Sequence, residues 1–122
     1  MAYVYMLLCE GNTLYTGIAA DVKKRISAHI NRSGAKYTKS HAALRLEALW
    51  ETQNLGGAAK LEYRIKRLDK QKKLELVKSP QSVSQLFPEL SETGFEAKES
   101  FEITEINRAL FCGESERHNG KA

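Results

Sequence analysis

The chain is 122 residues long, 42% hydrophobic, and carries a net charge of +4. That supports one domain with a single modest core and excludes two. No run approaches the roughly 20 apolar residues of a membrane span. The two cysteines, Cys9 and Cys112, fit no metal-ligand spacing, so a reduced, cytoplasmic protein is expected.

Residues 2–9 (AYVYMLLC) are almost wholly apolar and β-prone. They read as a buried central strand rather than a signal peptide, which would carry a basic n-region and a small-residue cleavage site. Glu10-Gly11-Asn12 is a turn signal, and residues 13–18 return as the second strand of a hairpin. Asp21 can N-cap a helix over residues 22–30 with Val22, Ile26 and Ile30 as its apolar stripe. Residues 32–43 are small, polar and basic, as in a loop. Residues 44–52 alternate, placing Leu44, Leu46, Ala48 and Trp50 on one face of a third strand. Gly56-Gly57 breaks the chain before a helix from about Ala58 to Leu68, with Ala58, Leu61, Ile65 and Leu68 inward. Asp69 can cap a strongly basic helix over residues 70–78. The order β-β-α-β-α-α predicts a small α/β (α+β) domain over residues 1–79, with a three-stranded, mostly antiparallel sheet flanked by helices.

Ser79-Pro80 marks the expected end of that domain, and residues 80–122 form an acidic C-terminal extension. Residues 1–79 hold 15 Lys/Arg against 7 Asp/Glu, and the extension holds 4 against 8. A basic domain with an acidic tail suits a protein that meets a polyanion. Phe101, Ile103, Ile106, Leu110 and Phe111 have helical spacing. A helix near 101–111 would dock on the domain or on a protein partner.

Several residues are placed to carry chemistry. Arg25 and His29 are four apart and share a helix face bordering the apolar stripe. They either point into a cleft or are ordinary solvated side chains. Glu62 stands beside Leu61 and three before Ile65, at the edge of a buried stripe. A carboxylate there is held by a metal, or by Lys66 at i+4, or sits in solvent. A three-residue hairpin loop would pair Tyr5 with Gly17 and put the Tyr5 and Tyr15 hydroxyls on one face; a four-residue loop would separate them. Gly17 inside a strand marks a close backbone approach, where a phosphate could come near.

Tyr3-Val4-Tyr5, a short turn, Leu14-Tyr15-Thr16-Gly17, then Asp21 to Arg25 and His29 resemble the GIY-YIG nuclease domain. Residues 59–66 (AKLEYRIK) resemble that family's helix with its metal-binding glutamate. The resemblance covers residues 1–79 and is to small stand-alone bacterial members. It implies that Tyr5 positions the attacked phosphate or water, and that Tyr15 is the general base or its helper. Arg25 would bind the scissile phosphate, His29 would take part in proton transfer, and Glu62 would hold a single divalent ion, Mg2+ or Mn2+. Tyrosine, with an ordinary pKa near 10, would need a neighbouring metal or Arg25 to lower it. Tyr3 stands where the family has glycine and Thr16 where it has isoleucine. The asparagine that several members carry after the glutamate helix is not placed by the resemblance, since Asn107 lies in the unmatched extension.

Lys36, Tyr37 and Lys39 in the loop, with Arg64, Lys66, Arg67, Lys70 and Lys73 on the later helices, form a nucleic-acid footprint. Such cations give salt-dependent affinity without reading sequence, and Tyr37 could stack on a base. The expected function is a metal-dependent DNA endonuclease, structure-selective or weakly sequence-specific, in DNA repair or recombination. The alternatives are a non-catalytic nucleic-acid-binding module and a protein-interaction module using the tail.

Overall fold

Strand β1 (Ala2–Cys9) is apolar along its length because both its faces are covered. Val4 and Met6 enter one core layer, and Tyr5, Leu7 and Cys9 enter the other. The computed structural model describes residues 1–31 and 41–112. β1 pairs antiparallel with β2 (Thr13–Ala19) on one side and β3 (Ala43–Thr52) on the other. Gly11 and Asn12 close the hairpin with φ of 80° and 58°, the left-handed region a tight turn requires.

The sheet has four strands, not the three expected, in the order β2-β1-β3-β4. The fourth, β4, is the dipeptide Glu96–Ala97 paired with Trp50 and Glu51 of β3. Two residues are too short to show alternation, so nothing in the sequence marks them as a strand. β3 departs from strict alternation as well. A register shift opposite Met6 and Leu7 leaves Glu47 as an extra residue, a β-bulge. Ala48 and Trp50 therefore face one layer, whereas Leu46 and Leu49 face the other. Leu44 is exposed rather than inward.

Helix α1 (Val22–Ile30) begins at Asp21, whose carboxylate accepts from the Lys24 N–H. It covers the face holding Tyr5, Leu7 and Leu49. Helix α2 (Leu55–Lys66) covers the other face through Ala58, Leu61 and Ile65. It starts three residues earlier than expected because Asn54 Oδ1 accepts the Gly57 N–H at 2.8 Å. That cap outweighs the cost of glycine in the first turn. Helix α3 (Lys70–Lys78) is capped by Asp69 and buries only Leu76.

Beyond Ser79 the described chain runs back over the sheet. Pro80–Ser82 is a 3-10 turn whose Pro80 carbonyl accepts the Trp50 indole N–H at 3.0 Å. α4 (Val83–Leu86) and a 3-10 stretch (Pro88–Thr93) follow. Val83, Phe87 and Leu90 complete the layer under α2. α5 (Ser100–Asn107), continued by a π-helical turn at Arg108–Cys112, places Ile103, Ile106, Leu110 and Phe111 against the α1 layer. Of the two destinations open to this segment, its apolar stripe takes the domain itself. Asn107 fixes α5 to β3: its Oδ1 accepts the Leu46 N–H at 2.7 Å, and its Nδ2 donates to the Leu46 carbonyl at 2.9 Å. Among the described residues, no helix is long and apolar enough to cross a membrane.

Candidate active site

The hairpin register decides where the two phenols lie. Cys9 pairs with Thr13, so the loop is Glu10-Gly11-Asn12, and Tyr5 faces Gly17 while Tyr15 faces Leu7. Both tyrosines thus emerge on the α1 face. Tyr5 is fully buried and its ring crosses Gly17: a Cβ built on that glycine would lie 2.5 Å from the Tyr5 hydroxyl. The group that approaches Gly17 in the structure is this phenol.

α1 brings the third ring. His29, expected at the edge of the apolar stripe, is instead part of it, buried with Val22 and Ile26. Ile30 is only partly buried. The imidazole takes the inward position because it meets a phenol rather than hydrocarbon: the Tyr5 hydroxyl is 2.7 Å from its Nε2. Ring centroids are 5.7 Å apart for Tyr5 and His29, 5.1 Å for Tyr15 and His29, and 6.3 Å for the two tyrosines. Both His29 contacts are edge-on, the arrangement aromatic quadrupoles favour. Arg25, one turn earlier on α1, turns its guanidinium to both phenolic oxygens.

This packing sets the charge states. Burial, with the adjacent Arg25 charge, lowers His29 to a pKa of about 4, so its imidazole is neutral at pH 7. Burial pushes Tyr5 up to about 12; the Arg25 hydrogen bond opposes this and loses, and the Tyr15 and Glu62 charges add to the rise. At Tyr5, desolvation is the larger effect. With His29 neutral, the direction of the Tyr5–Nε2 hydrogen bond follows the imidazole tautomer.

Glu62 comes from the opposite layer, on α2, and its charge reaches Tyr5. Its carboxylate is partly exposed and 3.3 Å from Lys66 Nζ, the i+4 partner foreseen from spacing. The structure thus gathers Tyr5, Tyr15, Arg25 and His29 by contact and Glu62 by electrostatic reach. Among the described residues, no three or more His, Cys, Asp or Glu side chains converge. A cleft of about 700 Å³ between β3 and α5 shares no lining residue with this cluster. Asn107 lines that cleft and not the phenol cluster, with its carboxamide taken up by Leu46.

The basic footprint divides. Arg64 is paired with Glu89 from the extension at 2.6 Å, on the side of α2 away from Glu62. Lys70 donates to the Asn12 carbonyl at the hairpin tip. Arg67 lies over the Tyr63 ring, and Lys73 is half-buried on α3. Lys36, Tyr37 and Lys39 lie outside the described residues. Sequence reasoning passed over Tyr63, although its exposure among cations is legible from the helical period.

The family model for the GIY-YIG catalytic domain matches residues 1–75. A UPF0213 protein of Fusobacterium nucleatum is 41% identical over 80 residues, covering 66% of this chain and 80% of its own. One from Staphylococcus saprophyticus is 43% identical over 77 residues, covering 62% and 92%. The solution NMR structure of a UPF0213 protein from Bacillus halodurans is 40% identical, covers 64% of this chain and 84% of its own, and superposes with a TM-score of 0.43.

Proposed function

The chain belongs to the GIY-YIG family, and from that premise we propose that it is a divalent-metal-dependent DNA endonuclease of structure-selective or weakly sequence-specific kind, acting in DNA repair or recombination. A nuclease-type domain takes nucleic acid as its substrate. The observation that carries the reading is the buried Tyr5–His29 hydrogen bond with Arg25 against the same phenol. An imidazole and a guanidinium focused on one hydroxyl have no packing purpose that hydrocarbon would not serve better.

Glu62 is the residue that would hold the metal. It fits Mg2+ or Mn2+: it is an oxygen donor, it is open to solvent, and it already draws a cation, the Lys66 ammonium, to 3.3 Å. A single carboxylate suffices for an ion that keeps several waters. When bound, such an ion supplies Lewis acidity at a phosphoryl oxygen.

The chain's own residues do the rest. Arg25 offers a planar fork of donors to a phosphate and neutralises charge that develops on its oxygens. Tyr15, half-buried where Tyr5 is sealed, is the phenol that meets the attacking water, as general base or the base's helper. The Tyr5–His29 hydrogen bond holds the imidazole beside the Tyr15 ring, and Tyr5 keeps its proton because burial pushes it up to about 12. Arg25 and Tyr15 are the partly exposed members of the cluster, and a backbone phosphate would reach it through them.

Incubating the purified protein with labelled single-stranded, nicked and branched DNA, in Mg2+ and in chelator, tests this. Cleavage should need both the metal and Glu62, and be lost in Glu62→Ala. Binding without cleavage under every condition would reassign the chain as a nucleic-acid-binding module on the same scaffold.

A further inference from the structure

On the outer surface of α2, one residue past Glu62, Tyr63 is 58% exposed. A large aromatic so placed gains little from the fold. Its ring is nevertheless held. The Arg67 guanidinium carbon is 5.3 Å from the ring centroid, and Arg67 Nη1 donates to the Tyr63 hydroxyl at 3.2 Å. The i,i+4 spacing sets Arg67 over the ring, and the hydrogen bond limits rotation about χ1 and χ2.

The surroundings are cationic. Lys60, Lys66 and Arg67 are exposed on the same helix. Lys66 lies between Glu62 and Tyr63 on the helical wheel and is bonded to Glu62 at 3.3 Å. Successive side chains on a helix 10–12 Å across are 100° apart, so the Glu62 and Tyr63 tips stand roughly 8 Å from one another. That is about one nucleotide step along an extended strand. A backbone whose phosphate is at Glu62 would pass Lys66 and bring the neighbouring base to Tyr63.

Resting on the nuclease reading above, we propose that Tyr63, fixed by Arg67, is a stacking platform for an unpaired nucleobase. The preferred substrate then carries a single-stranded nucleotide next to the phosphate that is cut. A paired base has both faces occupied by its neighbours and offers none to an exposed ring. An unpaired base offers one, and stacking tolerates any base because each has a π-face. Exposed apolar side chains elsewhere, such as Leu44 and Phe101, are not on this helix and have no part in the argument.

The test is equilibrium binding in chelator, where cleavage is silent, by fluorescence anisotropy. The probes are an oligo-dT strand, an oligo-rU strand, a duplex of equal length and a fully abasic DNA strand. The full chain is compared with Tyr63→Ala and Tyr63→Phe, after confirming equal melting temperatures. Tyr63→Ala should weaken oligo-dT binding about tenfold, the change stacking of one base supports. It should leave the duplex and the abasic strand within twofold, and Tyr63→Phe should restore binding. A parallel loss on oligo-rU assigns the platform to any unpaired base, whereas loss on oligo-dT alone restricts it to DNA; both support the proposal. Equal weakening on oligo-dT and abasic strand, or no weakening, overturns it. Because metal is absent, failure of the nuclease reading would appear as intact DNA in Mg2+ while this ratio held.

Discussion

The Tyr5 hydroxyl and Nε2 of His29 stand 2.7 Å apart with both residues sealed from solvent. Burial keeps the imidazole of this pair neutral down to a pKa of about 4. The unfolded chain has no such constraint and protonates His29 near 6.5. Between these two values the unfolded state binds the extra proton. Stability therefore rises with pH across this window and levels off above it. The contribution is roughly 3 kcal/mol at most. Urea unfolding from pH 4 to 8 should show this climb, and His29→Gln should flatten it. An unchanged slope in His29→Gln would mean that other groups carry the pH dependence.

The same phenol explains Gly17. Any Cβ at that position would lie 2.5 Å from the Tyr5 hydroxyl and 2.6 Å from its Cζ. The ring has to move, and moving it breaks the buried bond to His29. Gly17→Ala should cost about 1–3 kcal/mol. In a Tyr5→Ala background, where only the Tyr15 ring remains against the glycine, with its Cε2 3.0 Å from the added Cβ, most of the cost of Gly17→Ala should disappear. A double-mutant cycle by chemical denaturation measures the difference. Additive effects would place the strain elsewhere.

Thr16 is buried, and its Oγ1 has no hydrogen-bond partner, alone among the buried side-chain atoms of the described residues. It occupies the position where the GIY-YIG pattern has isoleucine. An apolar side chain of the same shape removes the desolvation penalty and leaves packing unchanged. Thr16→Val should raise stability by about 1 kcal/mol, read as an increase in melting temperature. A lower melting temperature would show that the hydroxyl is satisfied in solution.

Lys66 and a divalent cation compete for one carboxylate. Their exposed ion pair is weak, worth about 0–1 kcal/mol, so its removal should tighten metal binding only a few-fold. Titration of Mn2+ into Lys66→Met, followed by calorimetry or by paramagnetic broadening, should show that gain. Glu62→Ala should abolish the signal. Weaker binding in Lys66→Met would instead assign Lys66 to holding the site open.

How far these features could be read from the sequence depends on their range. The strand β1, the Asp21 and Asp69 caps and the stripe Ala58, Leu61 and Ile65 are local, and local patterns announced them. The set Tyr5, Tyr15, Arg25, His29 and Glu62 was singled out only by the resemblance to the GIY-YIG pattern, since spacing alone left each of them an ordinary structural reading. The burial of His29 was not legible, because it depends on a phenol 24 positions away. The bulge at Glu47 was hidden too. It moves Leu46 to the other face without altering the alternation that suggested otherwise. β4 and the inward turn of residues 83–90 are decided by contacts with Trp50 and α2 that no short window contains.

Asn107 has a partner in the fold that its position in the sequence does not reveal. An asparagine following the glutamate helix invited comparison with the one several family nucleases carry. Its carboxamide instead pairs with both backbone groups of Leu46, filling the place of a neighbouring strand beside the bulge. Replacing it by alanine leaves a partly buried N–H and C=O without partners, at about 1–3 kcal/mol. Asn107→Asp should also be costly, since a carboxylate can accept from the Leu46 N–H but cannot donate to its carbonyl. Neither change touches Tyr5, His29, Arg25 or Glu62. Below the melting transition, cleavage per folded molecule should therefore equal that of the parent chain, with only the stability reduced. Loss of cleavage at full folding would place Asn107 in the chemistry after all, and would require α5 to move against β3 when DNA binds.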